Sequence, residues 1–407
     1  MKMFSRVVVC AAALTLLAAA PAAAAKRVVD SDGQGSATNC AATNAAYFTI
    51  TSAVAASSAG DQIIVCPGAG PYNEQVSVDK ALTLTGKLGA TVRPSPMVAN
   101  STSLVSGAPI AAAIVIEDGV SGAHIDQLTV DGSGNGLAGC APTLIGVYYR
   151  NASGSVKNAV VKNFRLGAGL EGCQSGLGIY AQSAGAGASA VTVSNTSVHD
   201  FQKNGITGNE SGTTLTATAN FVTGDGPSPI IAQNGIQVGW GAKGVITSNL
   251  VSDLVYSPAT VASAGILVFD APPTTTVNAN TVTTTQVGVY VETSSSITVH
   301  ANVITQTRDY DGIYLSAGSD SNTVSSNVIT HSDEAGIWID GASNTVTKNK
   351  INEAPIGIVA CAGNTVPTSG TLKNVFYNVP QPTAGCPAAP TAAAAAEGPA
   401  ARVSIIR

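Results

Sequence analysis

Charge is scarce in this chain. Of 407 residues only 11% are Asp, Glu, Lys or Arg, and the formal net charge is −5 with a pI near 5.3. So thin and slightly acidic a balance leaves no basic footprint for nucleic acid. Aromatic residues make up 5%, and the four histidines (His124, His199, His300 and His331) are scattered. No Cys-x-x-Cys or mixed Cys/His spacing suggests zinc. Long apolar runs are also missing. The one near the start, residues 7–20, is too short for a bilayer and no second follows, so no membrane span is expected. With 45% apolar residues at regular spacing, the chain is nevertheless not of disordered composition.

The opening MKMFSRVVVCAAALTLLAAAPAAAA has the anatomy of a secretory signal peptide, residues 1–25. Lys2 and Arg6 form the basic region, residues 7–20 the apolar region, and the alanines at 22–25 offer A-x-A cleavage sites. Cys10 sits among Val and Ala and does not resemble a lipoprotein attachment cysteine. The expected location is therefore secreted, periplasmic or cell-surface. Removing the signal leaves Cys40, Cys66, Cys140, Cys173, Cys361 and Cys386. An even count in an exported chain predicts disulfides. The local pairing Cys40–Cys66, Cys140–Cys173, Cys361–Cys386 is expected, because each pair falls within or beside one or two repeats.

What is abundant is repetition. Glycine followed by alternating apolar residues recurs as IGVYY, LGIYA, NGITG, NGIQV, AGILV, VGVYV, DGIYL, AGIWI and IGIVA. From Gly205 these glycines fall at 205, 235, 265, 288, 312, 336 and 357, at intervals of 30, 30, 23, 24, 24 and 21. A second register places Asn220, Asn249, Asn280, Asn302, Asn327 and Asn349 at matching points, with Asn158 and Asn195 one residue out of step. A period in the twenties predicts a solenoid. Each unit holds short β-segments that can bury an apolar face only by stacking on its copies. Ile313, Leu315, Ile337 and Ile339 should point inward. The asparagines suit left-handed corners and coil-to-coil side-chain hydrogen bonds. The expected organisation is a cap at 26–60, a solenoid at 61–380 and a Pro/Ala-rich tail at 381–407. Within the cap, residues 41–59 read as a helix with Phe48, Ile50 and Val54 turned inward.

The segment ITSAVAASSAGDQIIVCPGAGPYNEQVSVDKALTLTG (50–86) resembles the opening of right-handed parallel β-helix proteins of the pectin-lyase-like superfamily. Ser58, Gly60, Asp61, Ile63, Val65, Pro67, Gly68, Tyr72, Glu74 and Val76 carry the likeness. The resemblance implies an all-β, single-stranded right-handed parallel β-helix with a short N-terminal capping helix. It does not select a reaction, since the superfamily includes lyases, hydrolases, epimerases, tailspikes and proteins with no known reaction. The motifs N-T-D, D-D, G-H-G and R-I-K of polygalacturonases and D-P-H-D of mannuronan epimerases do not occur. Four scattered histidines and two methionines after Met1 argue against a copper-handling β-helix protein.

Function is sought in what varies between copies. If the first and third residues after each Gly point inward, the second and fourth point outward. Three successive coils then present Tyr290, Tyr314 and Trp338 in a row, with Glu292 and Asp340 beside it. An exposed aromatic row flanked by acids can hold a carbohydrate chain, so these five residues are the expected substrate contacts. Cross-strand stacking alone, or a cover formed by the tail, would explain the row equally. The turns before each Gly carry insertions at 131–144, 166–176, 223–233 and 252–263, which should stack as a wall. In later coils they shorten to TRDYDG and HSDEAG. Arg308, Asp309, Asp311, Asp333 and Glu334 make the candidate catalytic group, with His331 nearby. Paired carboxylates there could cleave a glycoside as acid and base. They could bind Ca²⁺, with Arg308 as the base of a lyase, or be solvated turns. The expected function is engagement of extracellular polysaccharide by a monomer, as a polysaccharide lyase, a glycoside hydrolase or a non-catalytic binding or surface-structural solenoid. No metal ligand is assigned, and Ca²⁺ is the candidate cofactor.

Overall fold

A computed structural model describes residues 24–32, 40, 47–361 and 363–386. One coil shows the plan. Thr323–Ser325 lies in a first sheet, Val328–Ser332 in a second, and Ala335–Ile339 in a third, the Gly sheet. Each strand pairs in parallel with its counterpart one coil on, giving sheets of 12, 11 and 13 strands. The hairpin of Ser101–Thr102 with Pro109–Ile116 is antiparallel. Sequential pairing at a period of one coil is what the repeat demands, because no coil has an apolar face it can bury alone.

Ile313, Leu315, Ile337 and Ile339 are fully buried in the interior, as their spacing predicts. Each contributes roughly 1.5–3 kcal/mol by leaving water. The repeated glycine has a steric cause. A Cβ on Gly312 would stand 2.5 Å from Cγ2 of Ile329 and 2.6 Å from the Gly336 carbonyl, and Gly288 and Gly336 are crowded alike. The backbone of the Gly sheet therefore lies directly against the second sheet's β-branched side chains.

The asparagines form a continuous ladder between the first and second sheets. Side-chain amides bond from Asn220 to Asn249, Asn280, Asn302, Asn327, Asn349 and Asn374, each at 2.9–3.0 Å. The left-handed corner sits elsewhere than expected. In these coils it falls on the residue before the Asn: Ala219, Ser248, Ala279, Ala301, Ser326 and Lys348. In the two out-of-step coils Asn158 and Asn195 themselves take positive φ. The buried amide thus serves as a cross-coil hydrogen-bonding group, and the corner needs only a residue that tolerates it.

At the N-terminal end Lys26–Val29 pairs with Gln62–Val65, and the helix spans Ile50–Ala56. Thr49 caps it, and Glu74 accepts from the N–H groups of Ile50 and Thr51 at 2.7 and 2.9 Å. Ile50 and Val54 face the core, but Phe48 precedes the first turn and is exposed. Residues 41–46 of the expected helix lie outside the described residues. At the other end Gln381–Gly385 pairs with Ile356–Ala360, so the Gly sheet runs five residues into the stretch expected as tail. Residues 387–407, and residues 1–23 of the expected signal, also lie outside the described residues. The three disulfides join Cys40–Cys66, Cys140–Cys173 and Cys361–Cys386, the expected pairing.

Candidate active site

The insertions do form a wall along one edge of the Gly sheet. The Cys140–Cys173 disulfide ties the first two together. Gln202 Nε2 donates to the carbonyls of Leu170 and Cys173 at 2.8 and 2.9 Å. Phe221–Ser228 stays paired with Leu250–Tyr256 past a bulge. Tyr310 Oη donates to the Ala259 carbonyl at 2.6 Å, which draws the last insertion over the sheet.

That cover changes the character of the aromatic row. Tyr290, Tyr314 and Trp338 are in register on successive strands, and the two tyrosine rings lie 4.9 Å apart. Tyr290 and Tyr314 are nonetheless fully buried and Trp338 is half-buried. Ala262, Leu267, Phe269 and Tyr310 pack with them into a second small core outside the coil. The expectation of an exposed row is therefore corrected. Alternation told which side of the sheet the rings take, and the inserted loops decided whether water reaches them.

The charged turns divide into two groups. Arg308, Asp333 and His331 line an open cleft of about 320 Å³ with Gln306 and Thr307. There Asp333 Oδ2 accepts from the Asp309 N–H at 3.0 Å, a bond that stacks one turn on the next. Burial and the charge of Asp333 raise the Asp309 carboxyl. Asp311 and Glu334 turn the other way, toward the tyrosines. Asp311 is fully buried, with Oδ1 accepting from the Ala335 N–H at 3.0 Å and Oδ2 without a partner. Burial, then the charge of Glu334, pushes this carboxyl well above the usual range. Glu334 is half-buried and is raised by burial and by Asp340.

Asp340 joins the aromatics to this group. It accepts from Tyr314 Oη at 2.7 Å and from Trp338 Nε1 at 2.8 Å. Glu292, one strand from Tyr314, is raised by burial, and its Oε2 and the Tyr290 hydroxyl are buried without partners. The sequence-derived candidates are therefore regrouped. Asp311, Glu334, Glu292 and Asp340 share the tyrosine face, whereas Arg308 and Asp333 line the edge cleft, with the Asp309 N–H bonded to Asp333. Asp311, Glu334 and Glu292, each raised by burial, hold their protons more tightly than free carboxyls and can donate them to a bound group.

Sequence reasoning missed the other half of the face. In the coils at 204–239, Asn204, Thr207, Asn209, Asn234 and Gln237 occupy the same columns and are fully buried. Asn204 Nδ2 donates to Gln237 Oε1 at 2.8 Å, and Gln237 Nε2 to Asn209 Oδ1 at 3.0 Å. Lys203, two residues before Gly205, is also fully buried. Reading the two positions before each Gly as columns would have found Lys203, Asn204 and Asn234.

The profile of a family described as "Periplasmic copper-binding protein (NosD)" matches residues 203–381. Comparison with curated proteins found no match. Among solved structures, the mannuronan C-5 epimerase AlgE4 A-module of Azotobacter vinelandii is similar at 13% identity and a TM-score of 0.55. The match covers 83% of this chain and 93% of that one. A GH136 lacto-N-biosidase of Eubacterium ramulus is similar at 11% identity and a TM-score of 0.55, over 89% of this chain and 67% of that one. At such identities the likeness is one of fold. That fold is the right-handed parallel β-helix, as the sequence resemblance implied.

The donors present do not fit the copper of that family description. The matched segment holds two histidines, His300 and His331, and no methionine. His300 Nδ1 is engaged with Ser325 Oγ at 2.9 Å, and His331 contacts Glu353. Among the described residues the one cluster of three potential ligands is Asp340 with Cys361 and Cys386, and the two cysteines are joined as a disulfide with no thiolate to offer.

Proposed function

We propose that this chain, a right-handed parallel β-helix protein, is exported and engages an extracellular saccharide chain along the outer face of its Gly sheet, where it hydrolyses a glycosidic bond. The observation that carries the reading is the convergence of Glu334, Asp340, Glu292 and buried Asp311 on one strip beside Trp338. A carboxyl whose proton affinity is raised is what a departing sugar oxygen requires, and a second carboxylate is needed to activate water or attack. Glu334, half-buried and raised, is the proton donor in this reading. Asp340 is the partner, oriented by Tyr314 and Trp338. Asp311, sealed beneath them, is a positioning residue that anchors the turn through the Ala335 N–H, while burial and the charge of Asp340 raise Glu334. Arg308, the base a lyase would use, is on the edge cleft instead.

Export is supported by the leader-like first 25 residues, the three disulfides and the periplasmic family whose profile matches. No helix among the described residues is long and apolar enough to cross a membrane. That the solved structures of like fold include an epimerase of mannuronan and a lacto-N-biosidase is consistent with a saccharide ligand.

The test is incubation of mature protein with acidic and neutral polysaccharides, with and without calcium, following new reducing ends and unsaturated products together. New reducing ends, lost in Glu334→Gln and kept in Asp333→Asn, are expected. Unsaturated products would replace the hydrolase with a lyase. Binding without turnover, weakened by Trp338→Ala, would leave a non-catalytic solenoid.

A further inference from the structure

Lys203 stands two residues before Gly205, the coil position that Glu334 holds before Gly336. Five strand-to-strand steps of the Gly sheet separate them. At about 4.8 Å per step the strip they bound is about 24 Å long. One end is acidic, and the other carries a single lysine beside the amides of Asn204 and Gln237.

That lysine is sealed from solvent without a counter-ion. Its Nζ donates to the carbonyl of Ala232, and among the described residues it has no carboxylate partner. An ammonium has three donors, and buried charges in proteins are ordinarily paired. Desolvation alone lowers this amine to about 7. The one acceptor belongs to the 223–233 insertion, whose residues up to Ser228 are strand-paired with Leu250–Tyr256, leaving residues 229–232 outside any strand, between side-chain anchors. Arg165 pairs with Asp225, and Gln233 Nε2 donates to Asp225 Oδ2 at 3.0 Å and to the Phe201 carbonyl at 2.6 Å.

We infer that Lys203 is the seat for an anionic group of the saccharide: a carboxylate on the bound chain displaces the Ala232 carbonyl as residues 229–232 move aside, and supplies the missing counter-ion. The inference rests on the saccharide reading above and narrows it to acidic chains.

The experiment uses full-length mature protein and two probes, oligogalacturonate and its methyl ester, which share a backbone and differ in charge. Wild type should bind the acid about ten-fold or more tighter than the ester. Lys203→Met, close in volume, should bring the two affinities together while leaving that for the ester unchanged. Should the variant fail to fold, wild type still decides through Lys203 acetylation followed by mass spectrometry. The acid should slow labelling at that residue several-fold and the ester should not. Equal affinities in wild type, a preference that survives Lys203→Met, or labelling indifferent to the acid would overturn the inference and leave the saccharide reading standing. If neither these probes nor any polysaccharide in the panel binds, both fall together.

Discussion

Truncating one rung of the asparagine ladder should cost this protein a large part of its stability, and Asn302→Ala is the rung to choose. Asn302 Oδ1 accepts from both the backbone N–H and the side-chain amide of Asn280, each at 2.9 Å. Its Nδ2 donates to the Val277 carbonyl and to Asn327 Oδ1, each at 3.0 Å. Asn302 is fully buried, so water cannot replace these bonds. Alanine would deprive the Asn280 N–H, one Asn280 amide proton and the Val277 carbonyl. A stranded buried group costs about 1–3 kcal/mol. The Asn280 amide keeps its bond to Ile246 O, so the total is roughly 3–6 kcal/mol. Urea denaturation at pH 7, followed by circular dichroism, would report this as a lower midpoint at unchanged slope. Thr323→Ala, on an exposed first-sheet position, is the control and should shift by less than about 0.5 kcal/mol. An Asn302→Ala midpoint equal to that of the control would refute the ladder as a source of stability and return the asparagines to turn chemistry alone.

Two further expectations follow from burial. Gly312→Ala forces a methyl between Ile329 and the Gly336 carbonyl, and should destabilise by roughly 1–3 kcal/mol in the same assay. A neutral effect would mean the Gly sheet can move away from the second sheet. Asp311 has its carboxyl raised by burial, so the folded chain holds a proton there that the unfolded chain releases near pH 4. Wild-type stability should therefore fall as pH rises from about 4 toward the folded value, and Asp311→Asn should remove that part of the slope. Melting temperatures of both proteins at pH 4 and pH 8 measure the difference, and parallel behaviour would mean the carboxyl is solvated.

The solenoid was readable because its physics is local and repeated. A strand's inward residues are set by period-two alternation, and copying the pattern every 21–30 residues leaves stacking as the way to bury them. Ile313, Leu315, Ile337 and Ile339 were placed on that ground alone. Disulfide pairing was readable for the same reason, since residues about one coil apart in sequence are neighbours in space. Phe48 was misplaced because the helix begins at Ile50, so the phase assumed for Phe48 was not the helix's own. The site was legible in composition and not in grouping. Asp309 and Asp311 are two residues apart, yet one stacks on Asp333 at the edge and the other is sealed against Glu334.

By itself, then, the sequence determined the repeat, the coil interior, the positions of glycine and asparagine, and which residues could share an outer face. Tertiary structure alone decided which of those outer residues meet water. The insertions at 223–233 and 252–263 belong to particular coils, and where they fold is governed by contacts such as Arg165 with Asp225 and Tyr310 with Ala259, which join residues far apart in the chain. Burial is a property of whatever lies across a face. Alternation within a strand carries no information about that neighbour, and so Lys203, Asp311 and the tyrosines became sealed groups with altered proton affinity only once the coils had stacked.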